Sequence, residues 1–145
     1  MSTENIAITE DYVSFETAKL LKEKGFDIPC NTYFVEVEKE TAKSKFKRKF
    51  YHSSVAANRN AYKSEMANHY YFSCPTLQMA MKWLREKKGI AVIPVLSSVL
   101  DNEKFLWDIK IVVAKTNDSY SQGWVYETQE SACEAAIKYC LEDLI

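Results

Sequence analysis

Two of the chain's three glycines stand in the same local frame. Leu20-Leu21-Lys22-Glu23-Lys24-Gly25-Phe26 and Trp83-Leu84-Arg85-Glu86-Lys87-Lys88-Gly89-Ile90 each pass from an apolar-periodic run, through lysines, to a glycine and a large apolar residue. Glycine takes the left-handed conformation that closes a helix. Lysines suit the negative end of the helix dipole, and the residue after the glycine makes the apolar contact of a Schellman motif. Each frame therefore dictates a helix with a defined stop, followed at once by a strand. Shared capping chemistry accounts for the likeness, and no duplication is claimed.

The helix starts are equally legible. Ser14 is a good N-cap for a first helix carrying Phe15, Ala18 and Leu21 on one face. Thr76 caps a second helix behind Pro75, with Leu77, Ala80, Met81 and Leu84 at helical spacing. A third follows Thr128 and buries Cys133, Ala136, Ile137, Cys140 and Leu144, with Glu130 and Glu134 in its first half.

Alternating segments supply strands at Thr32 to Glu38 and Phe105 to Ala114, where Trp107, Ile109, Ile111 and Val113 share a face. Ala91 to Val95 is an apolar strand that Pro94 confines to an edge or a bulge. Trp124 to Tyr126 is a short strand candidate. Asp101-Asn102 and Asn117-Asp118 are turn material, so these last three strands read as an antiparallel meander. Residues 53–72 read as a connection with room to move. Within it Val55, Tyr62 and Met66 could line a short helix; His69-Tyr70-Tyr71-Phe72 could supply stacking platforms for bases, or be a strand packed on a helix.

At 145 residues the chain is one α+β domain, large enough to fold without disulfides or metal. The expected architecture is one antiparallel sheet of four or five strands with three helices mainly on one face. Its expected core is Phe15, Leu21, Leu77, Met81, Leu84, Trp107, Ile109, Ile111, Ile137 and Leu144. Three Gly and three Pro argue against long flexible linkers.

A net charge of −1 provides no global field for DNA or an anionic membrane, so any such binding must be local. The polar N-terminal run lacks the character of a signal peptide, and no apolar run approaches the length of a membrane span. A cytoplasmic location is the expectation. Four cysteines without a CxxC pair, and only His52 and His69 beside them, do not make a zinc or disulfide framework. No metal and no cofactor are expected.

The run Ala42-Lys43-Ser44-Lys45-Phe46-Lys47-Arg48-Lys49-Phe50-Tyr51-His52 interleaves bases with aromatics, as nucleic-acid-binding strands do. An antiparallel hairpin with Phe34 to Glu40 would place Glu40, Glu38 and Glu36 against Lys45, Lys47 and Lys49. Val35 and Val37 would then meet Phe46 and Phe50 on the other side. In that register most lysines are partners of glutamates, and Lys43 and Arg48 are left over. The candidate nucleic-acid contacts are Lys43, Lys45, Lys47, Arg48 and Lys49, with Tyr51 or Tyr70 as a stacking surface. Arg48 is expected to matter more than Lys47.

No glycine-rich phosphate loop and no GxSxG elbow occur. The one enzyme-like constellation is Cys74 ahead of a helix N-terminus with His69 as its base. The alternative is a small buried residue before a Pro-started helix, and the overall leaning is toward a non-enzymatic protein. Aromatic richness suits a protein partner.

Three blocks, "YVSFETAKLLKEKGFD" at Tyr12 to Asp27, "PTLQMAMKWLRE" at Pro75 to Glu86 and "SACEAAIKYCLEDLI" at Ser131 to Ile145, together resemble a family of small uncharacterised proteins. That family is encoded in Bacteroides-type gut bacteria, their phages and other mobile elements. The stretch from Glu38 to Phe72, with the basic hairpin, lies outside the match. The resemblance carries no activity and no site residues. It implies a setting: a cytoplasmic accessory protein of a phage or mobile element, acting by binding a host or phage component.

Overall fold

In the computed structural model, which describes residues 9–38, 46–63, 68–121, 123 and 125–145, the helix boundaries fall where capping chemistry puts them. Helix α1 (Phe15–Glu23) begins with the Ser14 hydroxyl accepting the Thr17 N–H. It ends with Gly25 at φ +87°. The Phe26 N–H donates to the Leu21 carbonyl and the Gly25 N–H to that of Lys22, the two bonds of a Schellman close. The Phe26 ring is buried against Trp83. Helix α2 (Leu77–Lys88) has Thr76 as its cap and Gly89, at φ +64°, as its stop. Helix α3 (Gln129–Tyr139) starts at Thr128 and runs into a π turn over Cys140–Leu144.

The strands form two sheets rather than one. Strands β1 (Cys30–Glu38), β2 (Phe46–Ala57) and β3 (His69–Ser73) are antiparallel in the order β2-β1-β3. Strands β4 (Ile90–Val99), β5 (Phe105–Val113) and β6 (Asp118–Ser121) form an antiparallel meander. The expected single sheet of four or five strands is thus corrected.

The reason is where β3 ends. The Cys74 N–H reaches the Thr32 carbonyl, the Val13 N–H reaches that of Pro75, and the Leu77 N–H reaches that of Asp11. The chain is pinned beside α1 as it enters α2, and α2 carries it clear of the first sheet before β4 begins. Phe15 of α1 covers the first sheet, while α2 and α3 contact the second. The helices meet across Glu134, whose Oε1 accepts the Ser14 N–H at 3.1 Å and the Thr17 hydroxyl at 2.6 Å. One continuous core results.

Other expectations are refined in the same way. The third strand of the meander is Asp118–Ser121, because Asn117, at φ +58°, turns the chain back at once. Tyr126 contributes only a single bridge to Trp107, and Trp124 lies outside the described residues. Pro94 does sit in an edge strand, and β4 has a bulge between Leu96 and Ser98. Residues 53–72 hold the end of β2, a 3₁₀ turn at Arg59–Ala61 and most of β3, with no helix over Val55 and Tyr62; Met66 lies outside the described residues. No helix among the described residues is long and apolar enough to cross a membrane.

Of the expected core, Leu21, Leu77, Met81, Leu84, Ile109, Ile111 and Ile137 are buried, while Phe15, Trp107 and Leu144 are half-buried against it. Leu141, one turn on from Ile137, is fully buried and was not anticipated. Leu84 has no exposed surface, so Leu84→Ala should lower unfolding free energy by about 2–5 kcal/mol. Urea denaturation measures this, and a loss below about 1 kcal/mol would show that α2 does not anchor the core.

Candidate nucleic-acid interface

The register of β1 and β2 decides what the basic stretch can do. Glu38 pairs with Phe46, Val37 with Lys47, Glu36 with Arg48, Val35 with Lys49, Phe34 with Phe50 and Tyr33 with Tyr51. This is one residue away from the expected register. Neither Glu36 nor Glu38 faces a lysine, and Glu40 lies outside the described residues.

Aromatic packing explains the slip. On the side facing α1, Phe34 lies 5.1 Å from Phe50, and the Phe15 ring meets Phe34 at 5.3 Å and Phe72 at 5.2 Å. Phe72 is buried and Phe15 and Phe34 are half-buried. Even half of a fully buried aromatic's contribution of about 1.5–3 kcal/mol matches or exceeds the contribution of about 0.2–1 kcal/mol from an exposed cross-strand ion pair. The phenylalanines therefore claim the helix side, and period-two alternation sends the lysines to the other.

The slip splits the expected contact set. Arg48 lies on the helix side, its guanidinium 3.9 Å from the centre of the Phe15 ring. Tyr70 pairs with Glu36 on that side too. Lys47, Lys49 and Tyr51 lie on the opposite side, all exposed. Lys43 and Lys45 lie outside the described residues.

Residues outside the candidate contact set complete the face turned away from α1. Tyr33 stacks on Tyr51, with ring centres 5.4 Å apart and planes 16° apart. Tyr71 lies 6.4 Å from Tyr33, and Tyr62 meets Tyr71 at 5.5 Å. Lys49 sits over the Tyr51 ring at 5.4 Å. The strand residues on this face are Tyr33, Val35 and Val37 of β1, Lys47, Lys49 and Tyr51 of β2, and His69, Tyr71 and Ser73 of β3. None is a carboxylate.

The 3₁₀ turn closes one end of the ladder. The Asn60 side chain donates to the Phe26 carbonyl and accepts the Ser73 N–H, and the Arg59 N–H donates to the Ser73 hydroxyl. This locks the Arg59 guanidinium over the Tyr33 ring at 4.3 Å and beside Tyr62 at 5.2 Å. Arg59 is only 8% exposed; one guanidinium nitrogen donates to the Val55 carbonyl, and Nε finds no acceptor among the described residues. A buried cation held against aromatic faces adds positive potential to a surface that already carries two lysines.

The thiol pair is not assembled. Cys74 has no exposed surface, and its thiol donates to the Val13 carbonyl at 3.3 Å. Burial pushes its pKa up to about 12, with smaller contributions from Cys30 and Glu134. His69 lies five residues away, about 16 Å of extended chain, with its side chain on the opposite side of the strand. Cys30, Cys133 and Cys140 are buried as well. Among the described residues no three His, Cys, Asp or Glu side chains gather as metal ligands would.

Comparison with known proteins finds no matching family model, no matching curated protein and no matching solved structure.

Proposed function

We propose that this protein binds single-stranded nucleic acid, without sequence preference, across the face of its first sheet turned away from α1. One observation carries the reading: Tyr33, Tyr51 and Tyr71 stand together with Lys47 and Lys49 on a sheet face whose strand positions hold no carboxylate. Sheet aromatics offer sequence-tolerant platforms for bases, and lysines beside them meet the phosphates. Nothing on this face presents the paired donors and acceptors that read base edges in a groove.

With the exposed Lys47 and Lys49 neutralising about two phosphates, the logarithm of the binding constant should fall against log salt with a slope of about −1.4 for a single strand. Tyr51→Ala should weaken binding roughly 5- to 150-fold, the worth of one stacked base, while Tyr51→Phe keeps most of it. Fluorescence anisotropy with labelled single-stranded oligonucleotides at low salt measures both. A flat salt dependence, or equal binding by Tyr51→Ala and Tyr51→Phe, would remove this reading.

A second reading is an accessory protein of a phage or mobile element acting through protein contacts. The observation that favours it is on the other sheet, where the β4–β5 hairpin leaves Val95, Leu96, Val99 and Phe105 exposed. The two surfaces are separate, so either role can stand without the other.

A further inference from the structure

We infer that strand β4 is a self-association edge, through which two copies of this chain pair their second sheets about a two-fold axis.

The four sheet edges are unequal. Soluble proteins blunt exposed edges by shortness, charge, proline or cover, because an open row of N–H and C=O groups recruits other strands. Strand β2 carries Lys47, Arg48 and Lys49. Strands β3 and β6 are five and four residues long. Strand β4 has ten residues, Ile-Ala-Val-Ile-Pro-Val-Leu-Ser-Ser-Val, and not one charged side chain. Its protections are Pro94, which removes one donor in the middle, and the bulge between Leu96 and Ser98.

Beyond Pro94 the strand leaves the helices behind. Val95 is 41%, Leu96 47% and Val99 58% exposed, and Phe105 of the neighbouring strand is 52% exposed. The uncharged edge and the exposed apolar side chains coincide in the half from Val95 to Val99, on either side of the bulge.

A second copy fits this surface for a reason of charge. Antiparallel pairing about a two-fold axis sets a strand against itself, so a charged edge would oppose like with like. This edge holds no charge to oppose. The apolar side chains beside it are self-complementary in the same sense. A short ladder interrupted by a bulge, with a few flanking side chains, falls short of the roughly 800 Å² per partner of a standard interface, so the association expected is weak and reversible.

Sedimentation velocity from about 1 to 500 µM tests the proposal. The weight-average mass should rise from the 16.8 kDa of one chain toward twice that value and stop there. Val95→Lys and Val99→Lys change exposed positions, so both should keep the native circular dichroism and melting temperature while weakening association at least tenfold. A chain that stays monomeric to the highest concentration leaves the edge to a different protein and overturns the proposal. So does assembly past the dimer, or association that both lysine variants leave intact. Lys47→Glu should not change the mass curve, so failure here is distinguishable from failure of nucleic-acid binding.

Discussion

At about pH 10 the protein should lose stability at a rate approaching 5 kcal/mol per pH unit, the signature of between three and four protons released on unfolding. The four thiols are the cause. Each has an ordinary value of 9.0, and burial raises Cys30 and Cys133 to about 11 and Cys74 and Cys140 to about 12. At about pH 10 the unfolded chain has lost most of the four protons and the folded chain keeps nearly all of them. The unfolded state binds fewer protons, so stability that is fully present below pH 9 falls as pH rises. Lys22 opposes this, because burial lowers its pKa, but it is one proton against four.

Urea midpoints taken at half-unit steps of pH give the slope directly. Replacing one buried thiol, as in Cys133→Ala, should shallow it by about 1 kcal/mol per pH unit. A stability that stays level to about pH 10.5 would mean that the thiols ionise within the fold, contrary to their burial. The same burial makes Cys74 a poor nucleophile in the native state, since the thiolate is the reactive form.

What could be read in advance divides along local and non-local physics. Ser14, Gly25, Thr76, Gly89 and Thr128 act within one helical turn of themselves, and each sits at the boundary its chemistry requires. The division into two sheets depends on backbone bonds between distant segments, such as Val13 to Pro75 and Cys74 to Thr32, which no periodicity displays. The register of β1 and β2 sat between these cases. In Tyr33-Phe34-Val35-Glu36-Val37-Glu38 both alternating sets contain apolar residues, and charge matching with the lysines favoured the wrong one. Phe15 and Phe72 settle it, but they lie in other elements. The tyrosine ladder followed from the register, so it went unseen as a whole: Tyr71 stands in the candidate stacking run His69 to Phe72, but Tyr33 looks like an ordinary strand residue until the phenylalanines are assigned to the helix side. Arg59 gave no signal at all, because its place over Tyr33 depends on Asn60 and Ser73 holding the 3₁₀ turn.

That register also reverses the order of importance within the basic stretch. Charge pairing made Arg48 the free cation and Lys47 the engaged one. In the fold Arg48 is laid over Phe15 on the helix side, opposite Glu36, while Lys47 stands opposite Val37 on the tyrosine side. If the tyrosine face binds a strand of nucleic acid, Lys47→Glu and Lys49→Glu each turn an attraction of about 1 kcal/mol at contact distance into a comparable repulsion. At low salt that is roughly a thirtyfold loss for each, and together about a thousandfold, shrinking as salt screens the exposed charges. Arg48→Glu should change affinity by less than about threefold, since its charge lies across the sheet from the bound strand. Its cost should appear instead as lost stability, because the guanidinium leaves the Phe15 ring and a carboxylate replaces it beside Glu36, a pairing of like charges directly opposite on a sheet. Anisotropy titrations and urea melts on the same three variants separate the two effects. Equal losses of affinity for Lys47→Glu and Arg48→Glu would mean that both sides of the sheet, or neither, meet the ligand, and the assignment of the tyrosine face would fall with it.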